Sequence, residues 1–190
     1  FKHGDFEIGI GGMETAECHS MSMEYFSWKY MDKFFNDVKG YKRRHLADGL
    51  SFLPYGVIVD EFQHIVYENP SLTPEERKAE WNKLESKYRP YMSTKGIPYL
   101  EEGTRWQYQM HIFETPFYYI DYVLASTVAM GFLVASRKDY DAALQKYIEF
   151  SKAGGTKLFS QLVKEAGIAY PFGKGTLEEL GKEILAILSK

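Results

Sequence analysis

Apolar positions recur every three to four residues along most of the chain, and the Pro and Gly clusters fall between such stretches, so the pattern predicts an all-helical protein. No polar/apolar alternation at strand spacing competes with it. The first helix is predicted from about Glu14 to Asp37, after a glycine-bearing lead-in with Gly9, Gly11 and Gly12, and is expected to end near Gly40. A second is predicted from about Lys42 to Glu68. Pro54 inside it lacks an amide hydrogen and is expected to kink or split it, and Asn69-Pro70 closes it. Thr73, followed by Pro74, Glu75 and Glu76, reads as a helix start with a capping hydroxyl, a preset proline and acids near the positive end. That helix should reach about Lys87. After Lys95-Gly96-Ile97-Pro98, a helix is predicted from Tyr99 to Glu114, ended by Pro116, and an apolar helix from Pro116 to Ser136. Further helices are predicted for Tyr140 to Lys152 and Thr156 to Ala166. A capping box formed by Thr176 and Glu179 is expected to open the last one, which carries Leu177, Leu180, Ile184, Leu185 and Leu188.

The 190 residues, 45% of them hydrophobic, can fill the core of one larger domain, and no repeat or composition break divides them. With 23 Lys and Arg against 26 Asp and Glu, the net charge is only -3, which argues against a nucleic-acid partner. The single cysteine, Cys18, has no partner for an internal disulfide and suits a reducing compartment, so a cytoplasmic location is expected. The chain opens on Phe1 rather than Met, without the basic and then apolar arrangement of a secretory signal, and is expected to begin inside a longer protein. Its most apolar stretch, Tyr122 to Ala135, falls short of the ~20 residues of a membrane helix, so no membrane span is expected.

Three polar clusters carry candidate chemistry. In Glu14-Thr-Ala-Glu17-Cys-His19-Ser-Met-Ser-Met-Glu24 the acids stand three and then seven residues apart, on one helical face. Met13, Met21, Met23, Tyr25, Phe26 and Trp28 surround them and leave little water-facing stripe, a setting in which carboxylates need a cation or a donor. Cys18 next to His19 is no sign of a thiol nucleophile, because adjacent helical residues point ~100° apart. In Asp60-Glu61-Phe-Gln-His64, Glu61 and His64 have the Glu-x-x-His spacing of carboxylate-bridged di-iron bundles, but that fold needs the motif twice and it occurs once here. A packing histidine and a hydrogen-bonded acid is the favoured reading of this pair. His111-Ile-Phe-Glu-Thr-Pro-Phe-Tyr118-Tyr119-Ile-Asp-Tyr122 sets phenols at helical spacing after a histidine. Such a stripe serves either as core or as a set of donors for an oxyanion. His3 lies in the lead-in, and His45, after Lys42, Arg43 and Arg44, reads as part of a solvated basic turn.

In their order and separation these clusters resemble the thimet-oligopeptidase and oligoendopeptidase F group of zinc metallopeptidases, the oligoendopeptidase F branch most. The resemblance covers essentially the whole chain as the carboxy-terminal part of such an enzyme. It implies an all-α, multi-helix portion of a zincin-like catalytic domain with an enclosed cleft, acting on short peptides. It assigns Glu17 as the third zinc ligand and Glu24 as an acid that orients a ligand histidine. It gives His111, Tyr119 and Tyr122 to oxyanion stabilisation, with Tyr118 binding substrate; the choice between Tyr118 and Tyr119 stays open. The His-Glu-x-x-His that supplies two zinc ligands and the general base in that family occurs nowhere in this sequence. The resemblance therefore implies that these groups lie upstream, in a missing amino-terminal part of the polypeptide, and that the chain alone is inactive. The alternative is a non-enzymatic helical binding module, with the aromatic stripes as core and the acids as a docking surface; a di-iron carboxylate bundle comes after it.

Overall fold

A computed structural model describes residues 12–189, and the lead-in with His3, Gly9 and Gly11 lies outside them. Among the described residues the regular elements are all helical. The α-helices are α1 (Met13–Phe26), α2 (Val38–Glu68), α3 (Pro74–Tyr88), α4 (Pro98–Glu101), α5 (His111–Glu114), α6 (Tyr119–Lys138), α7 (Tyr140–Ala153), α8 (Phe159–Ala166) and α9 (Thr176–Leu188), with 3-10 turns at Ser27–Lys33 and Arg105–Tyr108.

Several ends differ from the predicted ones, each for a local reason. The first helix gives way to a 3-10 turn after Phe26, and α2 begins at Val38, before Gly40. Asp37 sets that start: its carboxylate accepts from Gly40 N at 2.8 Å, so Gly40 sits in the first turn instead of ending the previous helix. Pro54 does not split α2, which continues through it. The helix predicted for Tyr99 to Glu114 is three short pieces. Gly103, at φ 78°, breaks it, and a Cβ there would collide with the carbonyl of Lys78. Thr104 Oγ1 also hydrogen-bonds back to the Tyr99 carbonyl. The Thr156 helix begins only at Phe159. The Thr176 capping box does not form: left-handed Gly175 (φ 80°) occupies the cap, and Thr176 is already helical. At the start of α3 the predicted capping hydroxyl is in place and belongs to a reciprocal box, with Thr73 Oγ1 accepting from Glu76 N at 3.2 Å and the Glu76 carboxylate from Thr73 N at 2.8 Å.

The chain forms two compact units, one of residues up to Gly49 together with Leu124 onward, the other Leu50–Val123. Both boundaries fall inside helices, α2 and α6, where composition has no reason to change. In the first unit, Cys18 and Phe26 of α1 pack with Ala125, Val128 and Phe132 of α6, with Ala143, Tyr147 and Phe150 of α7 and with Phe159, Leu162 and Val163 of α8. Burying one such aromatic or branched side chain is worth ~2 to 3 kcal/mol. In the second unit Ile58, Val59 and Phe62 of α2 pack on Trp81 and Leu84 of α3, on Trp106 and on Ile112 of α5. α6, at 20 residues, is the one described helix long and apolar enough to cross a membrane, but 56% of its most apolar window is buried inside this fold.

Candidate active site

Helix α1 presents the first acids. Its buried face is built from Thr15, Cys18 and Ser22 as well as Tyr25 and Phe26. Because three of these are small, the large methionines are not all drawn inward: Met13 is 44% exposed and Met23 46%. The helix thus has an outward face, contrary to the expectation from its sequence, and it carries half-buried Glu17 and exposed Glu24. The Ser20 hydroxyl donates to the Glu17 carbonyl at 3.0 Å and reaches its carboxylate at 3.5 Å.

Glu24 has an imidazole partner within the chain. Trp28 Nε1 donates to His45 Nδ1 at 2.9 Å, and His45 Nε2 lies 2.9 Å from Glu24 Oε2. An indole can only donate, so Nδ1 accepts, and the ring proton on Nε2 is directed at the carboxylate. His45 also stacks on Tyr25, with centroids 5.0 Å apart at 18°. The solvated-turn reading of His45 is therefore corrected: Arg43 and Arg44 are exposed and Lys42 Nζ lies 5.9 Å from the Trp28 ring, while the histidine lies in an aromatic slot.

Cys18 and His19 point apart, as helical geometry requires. The thiol faces Ser22 Oγ at 3.7 Å, and burial pushes its pKa up to about 12. His19 packs edge-on to Tyr147 and Phe150, and burial lowers its pKa. Neither group is prepared for nucleophilic chemistry.

Glu61 and His64 are occupied separately. Lys87 donates to both Glu61 oxygens, at 2.7 and 2.9 Å, and Tyr88 adds a hydroxyl, which together hold the Glu61 carboxyl below its usual range. His64 pairs with Asp60 at 3.6 Å and packs on Phe117. This is the structural role favoured from sequence.

The third cluster is assembled in the second unit. Phe117 adopts φ 64°, and its amide donates to the side-chain oxygen of buried Gln63 at 2.8 Å, which pins the turn between α5 and α6. The turn brings His111 on α5 against three phenols of the α6 region. Ring centroids lie 4.9 Å from Tyr119, 5.8 Å from Tyr122 and 6.0 Å from Tyr118, and Tyr122 lies 4.9 Å from Tyr118 and 5.4 Å from Tyr119. All four side chains are half-buried, so they are ordered yet reachable. Tyr119 also packs on Phe52 and Tyr55; burial, reinforced by the phenols of Tyr55 and Tyr122, lifts its pKa to about 12, which keeps it a neutral donor. Behind His111, Gln109 Nε2 lies 2.7 Å from Nδ1, and Tyr55 donates to Gln109 Oε1 at 2.8 Å. Sequence reading missed Gln109 and Tyr55 and gave Trp28 and His45 other roles; the only local signal was Gln109 standing two residues before His111.

Among the described residues no group of three or more His, Cys, Asp or Glu side chains is placed to hold a metal ion. A catalytic zinc site uses three protein ligands, so the described residues would fit zinc only together with ligands from outside them.

The model of peptidase family M3 matches residues 8–182. Comparison with curated protein sequences gave no match. Among solved structures, PZ peptidase A with an inhibitor is 45% identical, with a TM-score of 0.94, over 99% of this chain and 34% of that one. A protein named oligoendopeptidase F is 43% identical, with a TM-score of 0.95, over 100% of this chain and 34% of that one. An oligoendopeptidase F so named from Bacillus anthracis str. Ames is 39% identical, with a TM-score of 0.82, over 99% of this chain and 30% of that one. The chain spans about a third of the length of these relatives. The match along nearly its whole length, with the same all-helical architecture, shows that the chain belongs to peptidase family M3 and is oligoendopeptidase F-like.

Proposed function

We propose that this chain is the carboxy-terminal helical portion of a zinc-dependent endopeptidase that hydrolyses short peptides in an enclosed cleft. The observation that carries the reading is the half-buried quartet of His111, Tyr118, Tyr119 and Tyr122, a set of side chains able to donate hydrogen bonds on one small surface of a peptidase-family chain. Tyr122, His111 and Tyr119 donate to the scissile oxygen as it gains charge, and Tyr118 binds the substrate. Glu17 supplies one metal ligand. Glu24, itself held by His45, orients a ligand histidine from the amino-terminal part. Zinc, when bound, contributes Lewis acidity toward the carbonyl and a lowered pKa for water. The base that takes the proton belongs to the same upstream His-Glu-x-x-His, so the chain by itself is inactive. The exposed methionines beside the acids, Met13 and Met23, support an amino-terminal segment covering this face. A cytoplasmic location belongs to the same proposal and is supported by the single, buried, unpaired Cys18.

The test is metal analysis and peptide hydrolysis on the full-length polypeptide and on this chain. The full-length protein should hold one zinc per chain after dialysis and cleave short fluorogenic peptides, with activity lost to a chelator and restored by zinc. A full-length protein that carries its upstream segment and binds no stoichiometric metal sinks the proposal.

A further inference from the structure

We infer that Gln109 is a positioning residue that fixes His111 as the tautomer protonated on Nε2, so that its imidazole serves the substrate as a neutral hydrogen-bond donor. The inference rests on the reading of His111 as a substrate-facing group and adds what sets its protonation.

A line of contacts runs outward from the interior of the second unit to His111. The Arg105 guanidinium lies 4.7 Å from the centroid of the Tyr55 ring. The Tyr55 hydroxyl has one proton to give, and it donates it to Gln109 Oε1 at 2.8 Å. With its oxygen so engaged, the Gln109 amide must present Nε2, a donor, to His111 Nδ1 at 2.7 Å. A donor facing Nδ1 requires a lone pair there, and in a neutral imidazole the proton then sits on Nε2. The remaining neighbours of the ring are the phenols of Tyr118, Tyr119 and Tyr122, with centroids 4.9 to 6.0 Å away. Nε2–H is therefore the one ring donor that His111 can offer a carbonyl or an oxyanion. Each link holds its neighbour by hydrogen bonding, and Tyr55 is itself flanked by Arg89, which is locked to Glu85 by paired bonds of 2.8 Å. The orientation is thus set from the core and not by the substrate.

The substitution that reverses the sense of the relay while keeping its shape is Gln109→Glu. A carboxylate accepts from Tyr55 and from Nδ1–H alike, so the imidazole proton should move to Nδ1 and leave Nε2 an acceptor. In the zinc-loaded full-length protein labelled with ¹⁵N-histidine, the ring nitrogens assigned through His111→Gln should show Nε2–H in the wild type and Nδ1–H in Gln109→Glu. Turnover should fall by roughly 100-fold with KM changed less than about threefold, the loss expected for one oxyanion donor. The double variant Gln109→Glu/His111→Gln should be no slower than His111→Gln alone, because the two act as one unit. A wild-type His111 protonated on Nδ1, or a Gln109→Glu protein with unchanged tautomer, overturns the inference, and if Gln109→Glu does not fold the wild-type spectrum decides by itself. The reading beneath it fails separately, if His111→Gln leaves kcat and KM at wild-type values.

Discussion

Replacing Tyr122 by Phe removes one oxygen and little else. The ring lies 4.9 Å from Tyr118, 5.4 Å from Tyr119 and 5.8 Å from His111, and a phenylalanine keeps all three contacts. The Tyr122 hydroxyl has no hydrogen-bond partner among the described residues, so folding loses no bond and stability should change by less than about 0.5 kcal/mol. If the hydroxyl meets the oxyanion, the bond exists mainly in the transition state. Turnover should then fall by roughly 100- to 1000-fold, about 2.7 to 4 kcal/mol, with KM and zinc content little changed. Tyr55→Phe differs in stability, because its hydroxyl already bonds Gln109 at 2.8 Å; its loss should cost about 1 kcal/mol and, through Gln109 and His111, lower turnover as well. The assay measures kcat, KM, melting temperature and zinc on one preparation of each full-length variant. A stable, zinc-loaded Tyr122→Phe enzyme turning over at a near-normal rate would refute the assignment and move the donor role to Tyr119, Tyr118 or His111.

Glu17→Ala in the full-length protein should abolish cleavage by releasing zinc, and Glu24→Ala should weaken zinc affinity by roughly 10- to 100-fold; competition with a chelator measures both. Lys87 and Tyr88 depress the pKa of Glu61, so the stability it contributes is complete above its unfolded value near 4.5 and is lost as pH falls through the lower folded value. The wild-type advantage in melting temperature over Glu61→Gln should therefore shrink on acidification below about pH 4.5. Burial raises the pKa of neighbouring Asp60, which gives the opposite sign: the acid form is favoured in the fold, and Asp60→Asn should lose least, or gain, near neutral pH. Gly103→Ala should lower the melting temperature more than Gly96→Ala. Both residues have positive φ, worth ~1 to 2 kcal/mol against an L side chain, but only at Gly103 does the new methyl meet a backbone carbonyl.

The helical class, the start at Thr73 and the stretches that became α6 and α7 were legible because their signals are local: spacing, a capping hydroxyl and an apolar run. What failed to show depends on distant partners. Gly40 reads as a terminator until Asp37 is seen capping the next helix through its amide. The stretch Tyr99 to Glu114 has helical spacing, yet Gly103 is held left-handed against the Lys78 backbone, which no local pattern announces. The phenol stripe and His111 were visible as candidates, and the turn pinned by Gln63 brings them together. His45 was misread for the same reason Gln109 was missed: its partners, Trp28 and Glu24, stand 17 and 21 residues away.

Both units answer the same chemical difficulty in the same way. A half-buried imidazole has two nitrogens and, when neutral, one proton, so its usefulness depends on which nitrogen holds it. In the first unit the donor that settles the matter is the Trp28 indole, which cannot accept, and His45 is left to donate to Glu24. In the second it is the amide of Gln109, oriented by Tyr55, and His111 is left to donate outward. Trp28 and the Tyr55–Gln109 pair are therefore more than packing: a substitution there can keep the fold and still present the wrong edge of a histidine. The acids, histidines and tyrosines of the motifs are thus the candidates visible in sequence, and the residues that would prepare them are not. The preparing residues are an indole, a primary amide and a phenol with no titration of their own to advertise near neutral pH, and only their hydrogen-bond partners give them away.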